Sequence, residues 1–270
     1  MNRKIINIRI FTSIKCLGVL ALLAACSGSP AEGSPDESKA KSPETHSADR
    51  SKEQAGKTKA LTNETVVPFL KNYAADHKQE TVIVKTDFGD ITIKLYDNTP
   101  LHRANMIYLA NRKYFDGTWF YRVSEGHVIQ AGNNDKTKTL QLRNKIGQYT
   151  IPPEALKKNY HKRGAVAAAR SYKGNENKRS DPYEFYITLG QKYSEGQLAA
   201  MEQEYDMTLN PEQKKLYQTT GGSPHLDGEH TVFGEVVSGM EVVEKISEVE
   251  TDRGEWPLKN IPITVKVIEK

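Results

Sequence analysis

Residues 118–132 read TWFYRVSEGHVIQAG. Two apolar runs, 119–123 and 127–131, are divided by Ser124-Glu125-Gly126, and each has the length and composition of a short strand. Arg122 sits inside the first run, between aromatic and aliphatic neighbours. Taken alone, it is equally well read as the water-facing residue of an amphipathic strand. Upstream, TVIVKT (81–86) and ITIKLY (91–96) alternate around Asp87-Phe88-Gly89-Asp90, a hairpin signal. Further strands are predicted at 165–169, 184–189, 232–237 and 261–268. Thr99-Pro100 opens a helix through about Asn111 with Pro100 at its first position, and a second helix runs from Met240 to Ser247 after Ser238-Gly239. Many short strands with few helices argue for a mainly β architecture, either a closed barrel or a sandwich. Strand count alone does not choose between the two and is silent on function.

The remainder of the chain sorts into segments by composition. Mean hydropathy of -0.64 over 270 residues excludes a polytopic membrane protein. Residues 1–15 carry Arg3, Lys4, Arg9 and Lys15 and no acid, and CLGVLALLAA (16–25) follows. A bilayer-spanning helix needs about 20 apolar residues, so residues 1–25 read as an export signal. The segment closes on Leu23-Ala24-Ala25-Cys26, which resembles a bacterial lipobox; the resemblance implies cleavage before Cys26 and its acylation. The alternative is an ordinary signal peptide that leaves a free cysteine. Residues 26–60 are rich in Ser, Gly, Pro and charge, too poor in apolar surface to fold, and are predicted to be a disordered tether with a reach of roughly 30–35 Å. Within 61–80, apolar Val66, Val67, Leu70, Tyr73 and Ala74 predict a helix over about 64–77, capped by Thr62 or Asn63, with Pro68 in its first turn. The formal charge of +4 comes from the export signal, because residues 26–270 hold equal numbers of acids and bases. Nucleic acid is therefore not an expected partner.

Nothing in the chain suggests bond-breaking chemistry. There is no G-x-S-x-G, no P-loop and no CxxC, and both cysteines fall outside the predicted module. His225 and His230 are five apart across a Leu-Asp-Gly turn, and His127 could join them, but no recognised metal spacing results. The basic stretches 136–143 and 157–163 lack interleaved aromatics and read as solvated loops.

Four stretches in order carry a resemblance. They are the block at 118–132, GAVAAAR (164–170), EFYI (184–187) and LDGEHTVFGEVVSGMEVVEKI (226–246), preceded by Gly89-Asp-Ile91-Thr-Ile93-Lys-Leu95. Together they resemble the cyclophilin-type peptidyl-prolyl isomerases over about 81–268. The resemblance implies an eight-stranded antiparallel barrel capped by two helices, with an active groove on its outer surface and no cofactor or metal. It implies a catalytic arginine at Arg122. It further implies a proline pocket and peptide-binding surface at His127, Val128, Gln130, Ala169, Arg170, Glu184, Tyr186, Leu226 and His230. The implied partners are unfolded or flexible polypeptides containing proline.

The sequence departs from that pattern at several points. His127 stands where the family has phenylalanine, His225 where it has tryptophan, and Glu184 where it has glutamine. Glu184 is expected close to Arg122, either orienting the guanidinium or competing for it. NNDKTKTLQLRNKIGQ (133–148) replaces a glycine-rich loop. Residues 191–222 form an insertion that reads as two short helices, 194–205 and 210–219, either a lid or partner site or a surface excursion. Two functions follow: a lipid-anchored prolyl isomerase assisting exported proteins, or a catalytically weakened binding module or chaperone on the same fold. The expected location is the cell envelope outside the cytoplasm, on the periplasmic side of the outer membrane if the source is Gram-negative.

Overall fold

The computed structural model describes residues 59–269. The export signal, Cys26 and nearly all of the expected tether lie outside the described residues.

Eight strands form one closed antiparallel barrel: β1 Thr81–Thr86, β2 Gly89–Leu95, β3 Thr118–Ser124, β4 Val128–Asn133, β5 Ala165–Ala168, β6 Phe185–Thr188, β7 Val232–Ser238 and β8 Ile261–Ile268. The order around the barrel is β1-β2-β7-β5-β6-β4-β3-β8, with β8 pairing back onto β1. Alternation sorts each strand into two faces. Val82, Val84, Ile91, Ile93, Phe120, Ile129, Val166, Phe185, Ile187 and Phe233 point inward and fill the interior. Val128, Ala165, Ala167, Tyr186 and Val232 form a second, smaller cluster on the outside of β4, β6, β5 and β7, joined by Ala169 just past β5.

Of the six α-helices among the described residues, α2 (Pro100–Asn111) and α6 (Met240–Ser247) pack against the barrel as the two expected caps. The α2 N-terminus has no cap from its own Thr99. Instead Leu101 and His102 donate their backbone N–H groups to the Glu154 carboxylate at 3.1 and 3.0 Å, which satisfies two orphan donors and favours a negative charge at that end. The N-terminal helix α1 is Val66–Asp76, with Thr65 rather than Thr62 or Asn63 at its N-cap.

Two regions differ from or sharpen the sequence reading. The stretch expected as a loop contains a helix, α3, Thr137–Ile146. It buries only Ile146 and is pinned through Arg143, which donates to Tyr114 Oη at 2.6 Å and to the Gly132 carbonyl at 3.1 Å. The insertion holds α4 (Glu195–Glu204) and α5 (Pro211–Thr219), each opened by a full capping box, Ser194 with Gln197 and Asn210 with Gln213. Leu198, Leu209 and Tyr217 form its own buried core. Gly222 returns the chain at φ 145°, where a Cβ would strike the His161 carbonyl oxygen, so only glycine permits that approach.

Candidate active site

The site begins with a register irregularity. Phe120 pairs with Ala131, but Arg122 pairs with Gln130, so Tyr121 is an extra residue in β3. Simple alternation would turn Arg122 inward with Phe120. The bulge puts it on the outer face instead. From there a single row crosses neighbouring strands: Arg122 opposite Gln130, Gln130 opposite Tyr186, Tyr186 opposite Ala167, and Ala167 opposite Val232.

A cavity of about 400 Å³ opens over this row. Arg122, His127, Val128, Gln130, Ala169, Arg170, Tyr186, Leu226 and His230 line it, together with Tyr172 and His225. Of the residues expected at the site, Glu184 alone does not line the cavity.

Glu184 is withdrawn because other groups claim it. Its carboxylate accepts from Tyr121 Oη at 2.6 Å, Gln130 Nε2 at 3.2 Å, Asn133 Nδ2 at 3.0 Å and Arg143 Nη2 at 3.3 Å. The carboxylate beside Arg122 belongs to Glu255, which accepts from Arg122 Nε at 2.7 Å and from Ser124 Oγ at 2.7 Å. Burial pushes the Glu255 carboxyl up, but the Ser124 hydrogen bond and the Arg122 charge outweigh it and hold the carboxyl below its usual range. Sequence reasoning missed Glu255 because it lies in an irregular turn after α6, at φ 65°, where no periodicity marks it. Its own carbonyl accepts from the Val123 N–H at 2.8 Å, which ties that turn to β3.

The Ala169 side differs from expectation in detail. Ala169 donates its N–H to Glu184 O at 3.2 Å and accepts from Asp181 N at 2.8 Å, so neither backbone group is open to a peptide. Among the described residues the backbone N–H and C=O of Arg170 are free. The Arg170 guanidinium is not: it donates to Glu229 O and Glu229 Oε2, each at 2.8 Å, and lies 4.2 Å from the Tyr172 ring centroid.

The histidines divide by environment. His230 Nδ1 donates to Ala168 O at 3.1 Å, which leaves Nε2 to accept from Tyr172 Oη at 2.8 Å. Burial drives its pKa down to about 4, so it is neutral at ordinary pH. His127 and His225 stack with ring centroids 5.6 Å apart and 22° between planes. Burial, then neighbouring positive charge, lowers the pKa of both. His225 Nδ1 is buried without a hydrogen-bond partner among the described residues. His161 was not anticipated. It is fully buried beneath the cavity, donates from Nδ1 to Asp227 Oδ1 at 3.1 Å, and accepts from the Tyr186 hydroxyl at 3.0 Å. Tyr186 keeps that proton because burial raises its pKa well above the usual phenol value. Among the described residues no group of three or more His, Cys, Asp or Glu side chains is placed to hold a metal ion.

The chain's similarities agree with this geometry. The family model for cyclophilin-type peptidyl-prolyl cis-trans isomerase/CLD matches residues 81–267. A Dictyostelium discoideum peptidyl-prolyl cis-trans isomerase is 30% identical over 186 residues, covering 68% of this chain and 95% of that protein. A Streptococcus pyogenes protein provisionally named a bifunctional phosphatase/peptidyl-prolyl cis-trans isomerase is 31% identical over 198 residues, 72% of this chain. The chain spans only 40% of that relative's length. The fold is similar to a crystal structure of a Cryptosporidium parvum cyclophilin-type peptidyl-prolyl cis-trans isomerase determined in the presence of the dipeptide Ala-Pro. The TM-score is 0.50 at 18% identity, over 70% of this chain and 99% of that one. The chain belongs to the cyclophilin-type peptidyl-prolyl cis-trans isomerase family.

Proposed function

We propose that the protein isomerises X–Pro bonds in unfolded or flexible segments of exported proteins, with Arg122 as the catalytic residue. Rotation about such a bond must break amide resonance, a barrier of about 20 kcal/mol, yet no covalent bond is cleaved. The reaction therefore needs a shaped pocket and a well-placed donor rather than a nucleophile. As the C–N bond twists, the prolyl nitrogen becomes pyramidal and basic. A guanidinium hydrogen bond to it is stronger in the twisted state than in the planar one, which is the condition for lowering the barrier. A charged hydrogen bond of about 1.5–3 kcal/mol corresponds to roughly 10- to 150-fold in rate.

The observation that carries this reading is the row Arg122–Gln130–Tyr186–Ala167 beneath one outward cavity. In this reading Val128, Tyr186 and Leu226 grip the proline ring, and His127 forms the wall beside them. Gln130 has its Nε2 committed to Tyr121 and Glu184, which leaves Oε1 to accept a peptide N–H. The free backbone of Arg170 supplies the second peptide contact. Glu255 orients Arg122 through Nε, and the terminal nitrogens remain for substrate.

The location rests on the apolar run 16–25 and Leu23-Ala24-Ala25-Cys26. A lipid on Cys26 and a tether would hold the enzyme at the envelope, within reach of emerging chains. The decisive experiment is a cis-to-trans assay on a proline tetrapeptide, wild type against Arg122→Ala. Equal inactivity of both on the peptide and on a refolding protein would leave a binding module.

A further inference from the structure

We propose that the helical insertion is part of the substrate site, and that Tyr205 at the end of α4 is a specificity-determining residue selecting peptides with an aromatic side chain next to the proline. This deepens the isomerase reading and rests on it. Three rings form one stack beside the cavity. His127 and His225 line the cavity and stack at 5.6 Å and 22°, and the Tyr205 ring continues that stack on His225 at 5.0 Å and 27°. The wall beside the proline pocket thus runs without a break into the insertion. Tyr205 is 48% exposed, so its ring presents flat apolar surface next to the mouth. A flanking aromatic residue of a bound peptide meets there an offset or edge-on partner of its own kind.

That surface selects only if it is held in place, and the insertion is held. Tyr205 donates its N–H to Met201 O at 3.0 Å as the C-cap of α4. Leu209 donates its N–H to Glu202 Oε1 at 2.8 Å, fixing the turn that follows. From α5, Gln213 Nε2 and Tyr217 Oη donate to Asp227 Oδ2 at 2.9 and 2.7 Å. The other Asp227 oxygen takes His161, whose far nitrogen holds Tyr186 at the pocket floor. The insertion is thus bonded to the site through Asp227 and stacked onto it through His225. It is neither a loose lid nor a remote excursion.

The test follows one peptide family by NMR exchange spectroscopy, which reads binding and isomerisation separately. Peptides carry Phe or Gly immediately before or after the proline. Wild type should bind the Phe peptide roughly three- to tenfold more tightly than its Gly counterpart on at least one side. Tyr205→Ala should erase that preference by bringing the affinity for the Phe peptide down to that for its Gly counterpart, while Tyr205→Phe should keep it. A preference absent from wild type, or intact in Tyr205→Ala, overturns the proposal. Binding preference without line exchange would instead remove the isomerase reading and keep the role of Tyr205.

Discussion

Glu255 holds Arg122 by Nε at 2.7 Å while its other oxygen takes the Ser124 hydroxyl at the same distance. The guanidinium side chain is still 37% exposed, so it is oriented without being buried. Restricting an arginine to one rotamer removes entropy that substrate binding would otherwise have to remove.

Arg122→Ala should lower kcat/KM by roughly 10- to 150-fold, the equivalent of one charged hydrogen bond. Glu255→Ala should keep the fold and lower kcat by about three- to tenfold with little change in KM, since Arg122 then samples other rotamers. Steady-state isomerisation kinetics on a proline tetrapeptide check both. An unchanged kcat in Glu255→Ala would show that Arg122 needs no orienting partner.

Activity should decline as pH falls below about 6.5, the ordinary histidine value, because His127 and His225 titrate below it in the folded protein. Burial is the main cause, followed for His127 by His225 and Arg122, partly offset by Glu255, and for His225 by His161, partly offset by Asp227 and Glu204. Protonation charges the cavity wall. Stability has the same sign: an unfolded histidine takes its proton first, so stability is lost from about 6.5 downward until the folded rings are also charged. His127→Phe should flatten the acid limb of kcat/KM. A limb unchanged in that variant would assign it elsewhere.

Tyr217→Phe should destabilise the protein by about 1–2 kcal/mol, since it deletes one donor to a buried carboxylate. Asp227→Ala should lose about 2–4 kcal/mol, because it strands donors on His161, Gln213 and Tyr217 at once. Urea denaturation measures both. Similar losses in the two variants would mean that Asp227 is not the point where the insertion and the barrel meet.

Cys26→Ser should abolish incorporation of labelled palmitate and move the protein from the membrane fraction to the soluble one. Continued membrane association of unlabelled protein would point to another means of attachment.

The barrel strands were legible in the sequence because each is a short local run, alternating as in β1 and β2 or continuously apolar as in β5, set off by turn residues or charge. The α4 and α5 starts were legible locally as well, α5 through Asn210-Pro211 as cap and first position, and the structure adds Gln197 and Gln213 as the second halves of two capping boxes. What remained hidden depends on partners distant in sequence. Helix α3 has almost no apolar face, and its fixing contacts run from Arg143 to Tyr114 and Gly132. Glu184 stands in a recognisable motif, but its hydrogen bonds come from β3, β4 and α3, which only the folded arrangement reveals. Arg122 itself was located through a motif. Its outward direction followed from the implied outer groove and not from strand alternation, which the extra residue at Tyr121 reverses.

Each of the eight described strands has a hydrogen-bonded neighbour on both sides. An extended polypeptide arriving at this surface therefore meets no open row of backbone donors and acceptors onto which it could zip as an added strand. Under the proposed function, in which unfolded chains are the substrates, an open edge would risk templating their aggregation. Closure leaves the cavity over β4 and β6, rather than a strand edge, as the surface open to a peptide.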